Sequence, residues 1–179
     1  MRLQQDRSRD DFDELTGLAN ARAFYLHLQN EIARCEKQQK RLTMMVCDLD
    51  GFKYINERFG QLTGNELLKN VAGILRDNCR DTDYVARMGG DEFVVLMPGG
   101  GPEEFDSRID AMEREIRMAS REICGEDKVG LSIGTAHFPD DGKDAETLLS
   151  HADNDMYRTK RIRKSANVVQ LPRQITQVA

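Results

Sequence analysis

The Gly89-Gly90 pair, set between two largely apolar runs, constrains this chain more than any other feature. Tyr84 to Met88 precede it and Phe93 to Met97 follow it. Glycine enters positive-φ conformations without a steric penalty, so two glycines between such runs predict a tight antiparallel hairpin. The acidic pair Asp91 and Glu92 then stands at the start of the return strand. A second apolar run, Leu42-Thr43-Met44-Met45-Val46-Cys47, leads straight into Asp48-Leu49-Asp50-Gly51. If the two strands are neighbours in one sheet, Asp48 and Asp91 converge on an oxygen-rich point suited to a hard cation such as Mg²⁺.

The rest of the chain alternates helical and extended patterns. Phe24, Leu28, Ile32 and Cys35 recur at helical spacing between Ala21 and Lys40. A short helix carrying Ile55 and Phe59 is expected after the 42–47 strand, then a longer one after Gly60 with Leu67, Leu68, Val71, Ala72 and Leu75. Pro98 to Pro102 is a loop by composition. Beyond it, Phe105, Ile109, Met112, Ile116 and Ile123 mark an amphipathic helix. Val129, Leu131 and Ile133 alternate as a half-buried strand, and Leu148, Leu149, Ala152 and Met156 form one face of a last long helix. Val168 to Leu171 reads as a short edge strand. A hairpin among alternating strands and helices predicts an α+β fold, with helices packed around a central mixed sheet.

With 179 residues the chain makes one domain of ordinary size. It contains no apolar run long enough to cross a bilayer, and Met1 to Asp11 lacks a signal-peptide core, so a cytoplasmic, membrane-free domain is expected. The four cysteines, Cys35, Cys47, Cys79 and Cys124, are scattered and read as reduced core or near-core thiols. His27, His137 and His151 lack metal-ligand spacing. A net charge of −5 argues against binding a nucleic-acid polymer. The basic cluster Lys160 to Lys164 fits the end of a helix, where cations complement the dipole, and serves equally as a solvated terminus or a phosphate contact.

Five motifs agree in order and spacing with one family. They are Asp13 to Asn20, Asp48 to Asn56, Gly89-Gly90-Asp91-Glu92-Phe93, Leu131 to Gly134, and Ala152 to Lys160. Together they resemble the signature of the GGDEF family, the diguanylate cyclases, which join two GTP molecules into cyclic di-GMP. The resemblance implies a mainly antiparallel sheet like that of the nucleotidyl cyclases and the polymerase palm, over residues 13–165. Residues 1–12 would be a helical linker to an upstream sensory domain, and 166–179 a tail.

It also implies roles for individual residues. Asp48, Asp91 and the Leu49 carbonyl would hold two Mg²⁺ or Mn²⁺ ions, and Glu92 with Asp91 would serve the catalytic step. Phe52, Lys53, Asn56, Asn65, Lys160 and Lys164 would bind the nucleotide. Because one domain binds one GTP, the product requires a homodimer. Arg80 and Asp83 form an RxxD motif at the offset of the family's product-inhibition site, where cyclic di-GMP would bind.

Several positions depart from the family pattern. Asn65 stands where an aspartate usually reads guanine. An ionised carboxylate offers acceptors only, matching the guanine N1–H and N2–H donors, whereas an amide offers one acceptor and one donor group. Relaxed base selectivity, including cyclic GMP-AMP synthesis, is therefore one expectation, and a still GTP-specific enzyme is the other. Ala21, Glu57 and Gln61 replace a usual arginine, aspartate and histidine. Arg163-Lys164-Ser165 replaces Gly-Arg-Asn, so Lys164 keeps the charge but loses the planar fork. A silent module that binds cyclic di-GMP or GTP is the competing reading from a different class.

Overall fold

The computed structural model describes residues 10–99 and 102–169, with the side chains of 102–104, 164 and 166–169 outside the description. In order, the elements are β1 (Ala19–Asn20), α1 (Ala21–Gln38), β2 (Leu42–Asp50), α2 (Phe52–Phe59), α3 (Gln61–Asp77), β3 (Tyr84–Gly89), β4 (Glu92–Pro98), α4 (Pro102–Cys124), β5 (Gly130–Phe138) and α5 (Ala145–Val169). The five strands form one sheet in the order β1-β3-β4-β2-β5. Only the β1–β3 pairing is parallel, so the sheet is mixed and mainly antiparallel, as expected.

Strand β2 is buried along Leu42–Leu49 because helices cover both faces of the sheet. The two-residue period of a strand sends its side chains alternately to the two sides. Met45, Cys47 and Leu49 join Ile55, Leu67, Val71 and Ile116 on the side of α2, α3 and α4. Met44 and Val46 join Phe24, Leu28, Leu148 and Ala152 on the side of α1 and α5. Strand β5 alternates as expected between buried and partly buried residues, but the fully covered face is that of Ser132, Gly134, Ala136 and Phe138, while on the other face Leu131 is buried and Ile133, Thr135 and His137 are only partly covered.

Gly134 explains how close α5 comes to the sheet. A Cβ there would run into the Ala152 carbonyl and the backbone of Met156, so glycine lets the helix lie directly on β5. The Thr135 amide then donates to the Asp155 carboxylate at 3.1 Å and pins the two elements together. At the other end of the domain, the Asn20 side chain accepts from the Ala23 amide and caps α1.

Two expectations change at the termini. Phe12 does not continue a helical linker but makes an isolated antiparallel bridge to Ala19, drawn in by hydrogen bonds such as Asn20 N–H to the Asp11 carbonyl. At the other end α5 runs through Val169, so Val168 and Val169 extend a helix and form no edge strand, while Gln170 and Leu171 lie outside the described residues. Cys35, Cys47, Cys79 and Cys124 are free thiols, and burial pushes Cys47 and Cys79 up to about 12. No described helix is long and apolar enough to cross a membrane.

Candidate active site

Strands β2 and β4 pair in a register that sets Asp48 opposite Glu92, and the Leu49 amide donates to the Asp91 carbonyl at 3.2 Å. The two acidic segments, far apart in sequence, thus meet at one end of the sheet. Asp91 sits within the turn and only Glu92 opens the return strand, a shift of one residue from the sequence expectation. Gly89 and Gly90, with φ of 141° and 54°, carry the conformations this irregular hairpin needs.

Period-two geometry decides what each carboxylate faces. Asp48 lies on the same side of β2 as Met44 and Val46, toward α5, and is 6% exposed. There the Lys160 ammonium donates to its Oδ1 at 2.6 Å. Asp50, two residues on, accepts from the Ser132 hydroxyl at 2.7 Å and lies 3.8 Å from Arg163, almost one helical turn beyond Lys160. The spacing of two on the strand and three on the helix therefore matches two acids to two bases.

The charges are not balanced. Burial first, and then the Asp48 charge, raise the pKa of Asp91. Glu92, although largely exposed, is raised by partial desolvation and by the charges of Asp48, Asp153 and Asp91. Burial pulls Lys160 down, but its hydrogen bond to Asp48 and the Asp48, Asp50 and Asp91 charges outweigh that and raise it. A site with surplus negative charge and only oxygen donors fits a hard divalent cation. Among the described residues no three acidic, histidine or cysteine side chains close on one point, so backbone oxygen or substrate would have to complete the shell.

Beside these carboxylates opens a cleft of about 970 Å³. Its floor is the Leu49–Lys53 segment, where Gly51, with φ of 83°, turns β2 into α2. The far wall is residues 127–130, and Lys160, Arg163 and Arg117 reach in from α5 and α4. Lys53 lines the cleft but its side chain is 89% exposed and lies 3.7 Å from Glu57. Phe52 and Asn56 close on α3 at Gly64, because that residue has no side chain: a Cβ there would strike the Asn56 amide oxygen and crowd the Phe52 ring, and Asn65 is the next residue of α3. Lys164 falls on α5, and its side chain lies outside the described residues.

Arg80 and Asp83 lie away from the cleft, between α3 and β3. The Asp83 side chain is 0% exposed. It accepts from the Arg80 backbone amide at 2.9 Å, from the Arg80 guanidinium at 2.9 Å and from Arg108 at 2.8 Å.

A family model described as "Diguanylate cyclase, GGDEF domain" matches residues 10–166. The chain belongs to the GGDEF family. Diguanylate cyclase DgcP of Pseudomonas aeruginosa is 37% identical over 161 residues, covering 89% of the chain and 24% of that protein. Diguanylate cyclase DgcS of Shewanella oneidensis is 32% identical, covering 89% of the chain and 53% of its own length. The chain thus spans about a quarter to a half of these curated relatives. In structure, the coiled coil and GGDEF domain of DgcB from Caulobacter crescentus, solved in complex with c-di-GMP, superposes with a TM-score of 0.80 at 27% identity, covering 89% of this chain and 85% of that one.

Within this GGDEF domain, four residues of the site escaped the sequence reading. Arg117 and Lys128 carry no local signal, because α4 announces itself only through its apolar face and Lys128 lies in the loop that follows it. Arg163 sat inside a basic cluster from which the resemblance singled out Lys160 and Lys164 instead. Arg87 is the fourth. Its guanidinium holds the Asp13 carboxylate at 2.9 Å and the Gly90 carbonyl at 2.6 Å, tying the first motif to the acidic hairpin.

Proposed function

We propose that this GGDEF domain condenses two GTP molecules into cyclic di-GMP and releases pyrophosphate. The observation that carries the reading is the register of β2 on β4, which brings Asp48, Asp91 and Glu92 together beside the cleft. In each half-reaction the 3′-hydroxyl oxygen of one GTP bonds to the α-phosphorus of the other. The bond to the β-phosphate oxygen breaks, and its electron pair leaves with pyrophosphate. Two such steps close the ring.

Asp48, Asp91 and the Leu49 carbonyl would hold the divalent cations, two Mg²⁺ or Mn²⁺ per site, which when bound offset the charge growing on the α-phosphate and acidify the attacking hydroxyl. Glu92 is suited to orient that hydroxyl or accept its proton, because a carboxylate beside bound cations is ionised. The backbone N–H groups that follow Gly51 at the start of α2 face phosphate oxygens, and Lys53, Lys160 and Lys164 add positive charge. Asn56 and Asn65 take the base edge beside Phe52. Each domain holds one nucleotide, so two domains face each other across a two-fold axis, brought together by an upstream sensory domain.

Cyclic di-GMP binding at Arg80 supplies feedback. With Asp83 sealed by two guanidiniums, Asp83 first serves to hold Arg80, and direct pairing of its carboxylate with guanine requires Arg80 to swing outward. Relaxed base choice at Asn65, including cyclic GMP-AMP synthesis, is the alternative product pattern, because an amide can accept from guanine or donate to adenine.

The test incubates the protein with Mg²⁺ and GTP, ATP or both, and identifies cyclic dinucleotides by mass spectrometry. Cyclic di-GMP alone supports a guanine-specific cyclase, and mixed product assigns the change to Asn65. No product at high protein concentration, with cyclic di-GMP binding retained, would replace the cyclase by a silent binding module. Asp91→Ala separates the two activities, since it should abolish synthesis and leave binding at Arg80 intact.

A further inference from the structure

The cleft has a basic end for which the roles above have no use. Glu113, on α4, is 18% exposed and closes on the Arg163 guanidinium, while Arg117 lies 3.7 Å from its other oxygen. One carboxylate thus holds two guanidinium groups from two helices, and both line the same cleft. Lys128, an exposed side chain on the α4–β5 loop, lines it too. The Lys128 backbone packs so tightly on the turn before α2 that a Cβ on Gly51 would collide with the Lys128 carbonyl. The loop backbone that carries Lys128 is therefore fixed in position relative to the turn before α2.

A bland account would make Arg163 and Glu113 a clasp between α5 and α4. That account covers Arg163 and Arg117 through Glu113. It gives no reason why both guanidiniums and Lys128, from α4, α5 and the loop after α4, should line one and the same cleft. Planar guanidinium forks pre-oriented by a carboxylate suit phosphate oxygens, which they grip bidentately.

We propose that Arg117, Lys128 and Arg163 form a subsite for the terminal phosphates of the bound nucleotide and for the departing pyrophosphate, with Glu113 as a positioning residue. The proposal rests on the nucleotide reading above and extends it to residues outside the five motifs. As the bond between the α-phosphorus and the bridging oxygen breaks, negative charge gathers on the pyrophosphate, at the end of the cleft where these three cations stand.

Calorimetric titration of the full chain in Mg²⁺ with a non-hydrolysable GTP analogue, with inorganic pyrophosphate and with GMP tests this. Lys128→Ala, Arg117→Ala and Arg163→Ala should each weaken the analogue and pyrophosphate about tenfold, the usual scale for a charged hydrogen bond, and leave GMP almost unchanged. Glu113→Gln should weaken the same two probes by a smaller factor and Glu113→Asp restore part of it. Arg163→Ala also unties α5 from α4, so Lys128→Ala, which breaks no tie between elements, decides the matter if that variant unfolds. Unchanged affinity for the analogue, or an equal loss for GMP, overturns the subsite while the cyclase reading stands. A wild-type protein that binds none of the three probes overturns both.

Discussion

Asp48 and Glu92 face each other directly across two antiparallel strands, an arrangement that repels in the absence of a cation. Asp91 adds a third charge and has a raised pKa from burial and Asp48. A raised carboxyl pKa means that the folded state holds the proton more tightly than the unfolded one, so this contribution is fully present below the ordinary carboxylate range and is lost as pH rises through the raised value. Asp91→Asn should therefore stabilise the ligand-free protein by up to about 1 kcal/mol at neutral pH, after allowance for solvent screening, with no gain in acid. Thermal melts at the two extremes check this, and the same variant should make no product. Gly134 presents the opposite case, where geometry rather than charge decides. Gly134→Ala should cost about 3 kcal/mol in denaturant unfolding, because the added methyl meets helix backbone rather than a side chain that can turn away.

Among elements, the segment before α1 is tied to the acidic hairpin. Arg87 bridges the Asp13 carboxylate and the Gly90 carbonyl, and its side chain is only 10% exposed. Burial tends to raise Asp13, but hydrogen bonds from Thr16 and Arg87 outweigh it and hold its pKa below the usual range. A depressed pKa gives stability that is present above the unfolded value and fades as pH falls through the folded one. Asp13→Asn should thus lower stability by about 1 to 2 kcal/mol at neutral pH, a gap that closes in strong acid. Urea unfolding followed across pH shows whether it does.

For the whole molecule, the proposed reaction sets the decisive constraint, because it joins two nucleotides and the cyclase reading gives each domain one. If two domains must meet, product formed per unit of protein should rise with protein concentration and level off once dimers dominate, which turnover measured over a dilution series reports. Feedback adds a second expectation. Arg80→Ala should relieve inhibition by cyclic di-GMP with little change in basal rate, whereas Asp83→Ala should chiefly lower stability, by about 2 to 3 kcal/mol, because it removes a buried carboxylate shared by Arg80 and Arg108. Inhibition curves and melts on the two variants distinguish these effects.

The sequence by itself determined the element order from α1 to α5, since helical spacing from Phe24 to Cys35 and the apolar runs around Gly89-Gly90 are local properties of the chain, but not the two-residue β1 nor the helical end of α5. It also singled out Asp48, Asp91 and Glu92, because carboxylates at strand ends stand out against apolar neighbours. It could not tell which face of β5 is the better covered, because the face beneath α5 carries Ser132, Gly134 and Ala136, small residues that give no apolar signal. Nor could it choose Arg163, Arg117 and Lys128 from 26 lysines and arginines. Those three come from α5, α4 and the loop between α4 and β5, and only the packing of both helices on the sheet points them into one cleft. Patterns repeated along the chain are legible in sequence; a site assembled across elements exists only once the sheet register and the approach of α5 over Gly134 have set the distances.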